Sequence, residues 1–354
     1  MANEADAFGN SCSDFFLPFK VLHQQMDQAV KLESPAIAVV IPCYRAGHLV
    51  MKVIEGIGPE VGWIFVVDDA CPLETGKLVR AECKDPRVRV IQHTLNQGVG
   101  GATVTGYKAA MDTPAKIVIK LDGDGQMDPG LIPNLARLIQ IGRADYVKGN
   151  RFHRITDISG MPLVRLLGNA ILSFLTKLSS GYWQLFDPTN GFTAIQREVL
   201  AEMNLDSLAK RYFFESDVLY NLNQLRAVVA EMPMHAIYGD EPSSLKPMRV
   251  IGAFLKGNLR NFLRRIAYTY FIRNFSLASL ELLMSLPLIL FGVCYGLVHW
   301  IHSIQSAVPA AAGVVMAAAL PLIIGTQLLL SWLNFDVSQQ PVQPIHPLIA
   351  SCQP

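Results

Sequence analysis

Residues 117–126 read Ile-Val-Ile-Lys-Leu-Asp-Gly-Asp-Gly-Gln, an apolar, β-branched run that stops on two carboxylates, Asp122 and Asp124. The run predicts a strand, Ile117 to Leu121, buried on both faces. Two carboxylates one residue apart at a strand end, with Gly123 and Gly125 beside them, can turn their oxygens toward one hard cation. Mg²⁺ or Mn²⁺ fits, because each prefers oxygen ligands and bridges to substrate phosphates. A Ca²⁺ loop between two helices would need further acidic ligands and a closing Glu, where this chain has Met127 and Pro129. The plainer alternative is a solvated acidic turn.

Three similar runs precede this one, Ala36 to Pro42, Trp63 to Val67 and Val88 to Gln92. Between them lie helix-compatible segments, His48 to Ile57, Thr75 to Cys83 and Gly100 to Met111. The alternation predicts an α/β fold with a doubly wound, mostly parallel sheet, whose ligands bind beyond the carboxyl ends of the strands. Every candidate motif sits at such an end. After the first strand come Pro42 and Tyr44, and after the second Asp68 and Asp69. A carboxylate there can accept from a base N–H or a ribose hydroxyl and an aromatic can stack on a base, although Asp after a strand also serves as a turn former or helix cap. Gly98, Gly100 and Gly101 open the helix after the third strand, where backbone N–H groups can approach a phosphate. A dinucleotide fingerprint is disfavoured, because its last glycine is replaced by Thr103 and the loop does not follow the first strand.

Charge divides the 354-residue chain into two materials. All 30 Lys and Arg residues fall at or before Arg273, and beyond it the only acidic residues are Glu281 and Asp336. Residues 1–273 carry a formal +3, too mild to indicate nucleic acid. Two apolar stretches, about 275–301 and 307–333, each exceed the ~20 residues that a bilayer-spanning helix needs. With a short connector, His302 to Ser306, they predict a transmembrane hairpin with both outer ends on one side. Lys256, Arg260, Arg264, Arg265 and Arg273 precede the first span and nothing basic follows, which reads as a cytoplasmic body on a cell (inner) membrane. The opening residues show no secretory signal pattern. Six cysteines without a Cys-x-x-Cys pair suit reduced thiols. The expected units are a polar extension, 1–35, with one weakly amphipathic segment at Phe15 to Leu32, a catalytic domain, 36–247, a basic juxtamembrane helix, 248–273, the hairpin, 274–334, and a tail, 335–354.

The ordered blocks Val39–Tyr44, Val66–Asp69, Asn96–Gly100, Asp122–Gln126, Lys148–Phe152 and Asp187–Phe192 resemble family 2 glycosyltransferases with a GT-A fold, nearest the dolichyl- or polyprenyl-phosphate mannose and glucose synthases. The resemblance covers about Ile37 to Leu245. It implies a nucleotide-sugar donor, UDP- or GDP-linked, whose nucleoside meets Pro42, Tyr44 and Asp68 or Asp69. It makes Asp122, Asp124 and Gln126 the metal and diphosphate cluster. Ala70-Cys71 departs from the family's commoner Gly-Ser, which bears on the shape of that loop. A homo-oligomer is a further expectation from relatives with a membrane hairpin.

No Gln-x-x-Arg-Trp motif of the processive polysaccharide synthases occurs, and two spans are few for their channels. A polyprenyl phosphate acceptor explains two amphipathic segments with basic residues, Pro162 to Tyr182 and Leu255 to Tyr270, which suit the lipid headgroup layer. Such an acceptor is already an anion and attacks the anomeric carbon, with inversion, without a protein base. Arg151 and Arg165 match family arginines near the acceptor phosphate. Glu215 and Asp217 lie where relatives that glycosylate hydroxyls place a general base, which keeps a hydroxyl acceptor open. Lys246 and Arg249 fall in a stretch resembling the family's late loop over the donor phosphates.

Overall fold

The computed structural model describes residues 36–153, 163–235 and 247–352, with 163–167, 247–251 and 352 described as backbone elements only. The extension 1–35, with its segment at Phe15 to Leu32, and Lys246 lie outside the described residues, as do the side chains of Arg165 and Arg249.

In chain order the catalytic part runs β1 (Ile37–Cys43), α1 (Leu49–Glu55), β2 (Val61–Asp68), α2 (Thr75–Glu82), β3 (Val88–Gln92), α3 (Val99–Met111) and β4 (Ile117–Lys120). It continues with α4 (Ile132–Gln140), β5 (Tyr146–Asn150), α5 (Leu163–Ser180), β6 (Thr193–Gln196), α6 (Arg197–Glu202), α7 (Phe214–Leu225) and β7 (Val229–Pro233). The seven strands form one sheet in the order β3-β2-β1-β4-β6-β5-β7. β1 pairs in parallel with β2 and β4, and β6 runs antiparallel between β4 and β5. Every residue of β1 is buried, as a continuous β-branched run at the centre of a doubly covered sheet requires. One core packs Val39, Ile41 and Ile119 on one face and the other packs Val40, Val118 and Phe65 opposite.

The remaining helices are α8 (Pro247–Ile266), continued by a π-helical segment at Ala267–Arg273, then α9 (Leu277–Ser306), α10 (Ala312–Ser338) and α11 (His346–Cys352). α9 and α10 are long and apolar enough to cross a membrane, and only 28% and 6% of their apolar windows are buried. A core helix pair of a soluble protein would hide those surfaces. The turn between them lies at residues 307–311, later than the expected His302 to Ser306, because those residues stay in the helix until Ala307 takes a left-handed φ of 54°. The Ser306 hydroxyl donates to the His302 carbonyl at 2.8 Å, satisfying itself without ending the helix earlier.

α8 is amphipathic in the inverted sense. Its buried residues are Phe254, Asn258, Asn261 and Arg265, whereas Leu255, Leu259 and Leu263 are each more than half exposed. Asn258 accepts from Ser179 of α5, and Asn261 donates to Asp217 of α7. The expected apolar stripe therefore divides: Phe262, Ile266 and Tyr270 pack on the hairpin, while the three leucines face outward beside Lys256, Arg260 and Arg264. A helix that buries amides and exposes leucines is built for a partly apolar surrounding.

The tail returns to the catalytic domain. Asp145, fully buried before β5, accepts from the N–H groups of Ile345 and His346 at 3.0 Å and caps α11. Ile345 and Ile349 pack against the core that contains Tyr146 and Ile195. Both outer ends of the α9–α10 hairpin are thereby fastened to one body.

Candidate active site

β4 ends at Lys120, and the loop that follows carries the two carboxylates to the carboxyl edge of the sheet. Lys120 is the part of this constellation that sequence reading passed over. Its ammonium is buried and lies 2.7 Å from Asp122 Oδ1 and 3.3 Å from Glu215 Oε1, and it donates to the Gly191 carbonyl at 3.2 Å. Burial by itself would lower its pKa, but Asp122 and Glu215 outweigh burial and hold it protonated. A Cβ at position 191 would lie 2.5 Å from Asp122 Oδ2 and 2.6 Å from Lys120 Nζ, so a side chain there would push this charged pair aside.

Asp124 accepts from the Gln126 N–H at 3.0 Å. Its pKa is raised, by burial first and by the Asp122 charge second, so two carboxylates are crowded together with one ammonium to offset three acids. Among the described residues no group of three or more His, Cys, Asp or Glu side chains forms a metal cage. Two carboxylates short of positive charge nonetheless suit a Mg²⁺-type ion, which commonly takes one or two protein oxygens and completes its shell from water and phosphates.

The Asp187–Phe192 segment braces the site from beneath. Asp187, fully buried, is gripped by Arg151 through Nε at 2.7 Å and Nη2 at 3.0 Å, and burial's upward push on its pKa is outweighed by that pairing. Lys148 donates to the Asn190 carbonyl, and burial pushes its pKa down to about 8 against the opposing pull of Asp187 and Glu215. The guanidinium fork of Arg151 is thus engaged with the protein's own carboxylate.

Several residues read as ligand contacts are engaged elsewhere. Asp68 accepts from the N–H groups of Cys71 at 2.7 Å and Gly76 at 2.6 Å, and holds the first turn of α2. Asp69 accepts from His93, from Gln97 N–H at 2.8 Å and from Gly98 N–H at 2.7 Å. Both are fully or almost fully buried, so they shape the loops after β2 and β3 from within. Ala70 adopts φ 53°, the left-handed conformation that glycine takes most easily, which explains why glycine is the commoner residue there. Gly98 serves close packing: φ is 87°, and a Cβ would stand 2.5 Å from the Lys210 carbonyl oxygen. Gly101 N–H donates to that same oxygen at 3.1 Å, so the 209–211 backbone packs over the start of α3 and takes up one of the N–H groups expected to face a phosphate. Pro42 is the penultimate residue of β1, and Tyr44 is about half exposed with the Arg45 guanidinium 5.4 Å from its ring centre, available for stacking.

Asp217 faces away from Lys120, toward α8. It is 2% exposed and accepts from Ala209 N–H at 2.8 Å, Asn261 at 2.8 Å and Arg260 at 3.3 Å, on the side of α7 that faces α8. Two residues along a helix is about 200° of rotation, and the carboxylate that reaches Lys120 is Glu215.

Residues 38–203 match the model of the family described as Glycosyl transferase family 2. The UDP-N-acetylglucosamine–dolichyl-phosphate N-acetylglucosaminyltransferase of Methanococcus voltae is 31% identical over 216 residues, 57% of this chain and 86% of that relative. The chain belongs to glycosyl transferase family 2. The transferase also shares 28% identity over 173 residues with the undecaprenyl-phosphate mannosyltransferase of Micrococcus luteus, covering 48% of this chain and 70% of that one. A solved structure, glucosyl-3-phosphoglycerate synthase from Mycobacterium tuberculosis in complex with UDP, shares its fold with a TM-score of 0.50 at 20% identity, over 68% of this chain and 83% of that one. The sheet of the transferase is accordingly of the GT-A type, with an antiparallel β6 inserted beside β4.

Proposed function

We propose that this transferase moves a hexose from a nucleoside-diphosphate sugar to a polyprenyl phosphate at the surface of a membrane, with a divalent cation held by Asp122 and Asp124. The observation that carries the reading is the outward leucine face of α8, Leu255, Leu259 and Leu263, beside Lys256, Arg260 and Arg264 on the catalytic domain. That face suits a headgroup layer in which a lipid phosphate is the natural acceptor. The named relatives of Methanococcus voltae and Micrococcus luteus act on dolichyl and undecaprenyl phosphate.

In this reading the chemistry that Mg²⁺ or Mn²⁺ would supply when bound is charge neutralisation on the nucleoside diphosphate leaving group. Asp122 and Asp124 would supply the cation's protein oxygens, and Lys120 fixes Asp122 so that Oδ1 stays occupied and Oδ2 is presented. Tyr44 would stack on the base, and Gln126 would meet the diphosphate. An oxygen of the acceptor phosphate forms the new bond to the anomeric carbon while the bond to the leaving diphosphate breaks on the opposite face, which inverts the configuration. No proton has to be removed, so positioning and charge are the whole task. The basic residues before α9 and their absence after it favour a cytoplasmic catalytic domain.

A hydroxyl acceptor is the second reading, and Glu215 is the observation for it, a carboxylate 12% exposed beside the acidic pair. The experiment presents membranes containing the transferase with a panel of labelled nucleotide sugars and either polyprenyl phosphate or the corresponding alcohol. Label in the organic phase with the phosphate alone supports the first reading. Transfer to the alcohol alone would replace it with the second.

A further inference from the structure

Where the catalytic domain meets the hairpin there is a cavity of about 220 Å³, walled by the end of α7, the π-helical segment, the start of α9 and the end of α10. None of its lining residues belongs to the Asp122 cluster. Its charged groups are Arg226, Arg265, Arg273 and Asp336, three cations to one anion. The anion is spent: Asp336 accepts from Arg265 at 2.6 and 3.0 Å, from Tyr270 at 2.7 Å and from Trp183 at 2.8 Å. Among the described residues the Arg273 guanidinium donates to a neutral carbonyl alone, that of Gln224, at 2.9 Å. Arg226 is half-buried in a left-handed turn at φ 65°, and its guanidinium has no hydrogen bond or ion pair among the described residues. Burial first and the Arg273 charge second lower its pKa, the mark of two like charges crowded without a counterion. The Nε of Arg265 is likewise buried without a partner.

A protein seldom brings two guanidinium groups together in a partly buried recess unless something negative joins them. The position of the recess names the source. It lies at the level where α9 begins and α10 ends, and Ile272, Phe275 and Leu277, the most exposed of which is Ile272 at 75%, stand beside it as apolar surface. We propose that the cavity holds the phosphate group of an anionic membrane phospholipid, clamped by Arg226 and Arg273, with the acyl chains lying along Ile272, Phe275 and Leu277. Such a lipid would join α7 of the catalytic domain to the membrane hairpin and set how the domain sits on the bilayer. The proposal rests on α9 and α10 lying in a membrane.

The test is native mass spectrometry of the full-length chain released from phosphatidylcholine nanodiscs doped with phosphatidylglycerol. The wild type is expected to retain one phosphatidylglycerol at least tenfold above phosphatidylcholine. Arg226→Ala and Arg273→Ala should each lower that retention about tenfold, as loss of one charge-assisted contact does. Arg273→Lys should keep most of it, and melting in detergent identifies any variant that misfolds, in which case Arg226→Gln replaces the alanine variant. Equal retention by wild type and the arginine variants, or no preference over phosphatidylcholine, would overturn the site. Displacement by millimolar inorganic phosphate, or by polyprenyl phosphate at an equal mole fraction, would overturn the phospholipid assignment in favour of free phosphate or of the acceptor. Recovery of the intact chain from the aqueous fraction without detergent would overturn the membrane placement, and so the lipid, independently of these affinities.

Discussion

Glu215 and Asp217 stand two residues apart on α7 and serve opposite sides of it, Glu215 within 3.3 Å of Lys120 Nζ and Asp217 within 2.8 Å of Asn261 Nδ2. The first carboxylate belongs to the charge cluster and the second to the joint with α8. Glu215→Gln is expected to lower turnover roughly ten- to a hundredfold with little change in melting, the loss of one charge-assisted contact. Asp217→Asn is expected to cost about 1–3 kcal/mol of stability while the folded fraction keeps most of its turnover. Turnover assays paired with melting curves check both, and the opposite ranking would restore Asp217 as a candidate base.

The crowded carboxylates give a second expectation. Asp124→Ala removes half of the acidic pair and should abolish nearly all transfer while the sheet stays folded, since among the described residues the Asp124 carboxylate bonds locally, to the neighbouring Gln126 N–H. Asp124→Asn keeps an oxygen but not the charge and should recover little. Chelation should mimic both variants, and Mg²⁺ or Mn²⁺ should restore the wild type alone. Undiminished transfer in excess chelator would remove the cation from the reaction.

Arg151→Ala leaves Asp187 buried without its cation. Removing one partner of a buried pair costs roughly 3–5 kcal/mol, here nearer the lower figure because Arg151 is partly exposed. The expected result is a clear drop in melting temperature together with lost transfer, and Arg151→Lys should recover part of the stability but not the two-point grip. A variant that melts normally yet cannot use polyprenyl phosphate would instead assign Arg151 to the acceptor.

Lys148 supplies a pH dependence whose sign can be worked out. Its folded pKa, about 8, lies below the ordinary lysine value of 10.5, so between these values the unfolded chain holds a proton that the folded chain has released. Stability from this residue therefore rises with pH across that window, with a slope of up to about 1.4 kcal/mol per pH unit. Melting of wild type and Lys148→Met, compared at pH 7.5, 8.5 and 9.5, should shift in favour of wild type as pH rises. A constant difference would mean that Lys148 keeps its proton throughout.

β1, β2 and β4 were legible as largely apolar runs, the mark of burial on both faces, whereas β3, at the sheet edge with Arg89 and Gln92 exposed, was legible through its Val88, Val90 and Ile91. β5, β6 and β7 carry Lys148, Thr193, Gln196 and Glu231 in segments of four or five residues and offer no such period. Their polar groups are accommodated by partners distant in the chain: Lys148 donates to the Asn190 carbonyl, and Glu231 accepts from the N–H groups of Phe186 and Asp187. At the site, Asp122 and Asp124 announce themselves by spacing, whereas Asp68 and Asp69 look alike in sequence but are consumed by backbone N–H groups. A lysine closing an apolar strand, Lys120, was the signal for a buried counter-charge. The return of the tail left no trace to read, because Asp145 binds the main chain of Ile345 and His346 and not a recognisable side-chain motif.

That return also changes what kind of object the hairpin is. With α11 seated on the catalytic domain beside Asp145, α9 and α10 are a loop inserted into a single folded body, not a stalk hanging from its end. A stalk leaves its cargo free to swing, whereas a loop pinned at both feet fixes the height and tilt of what it carries. For the lipid acceptor proposed above, the reaction centre would thereby be held at a constant distance from the plane of the bilayer, and diffusion of the two partners would be reduced from three dimensions to two.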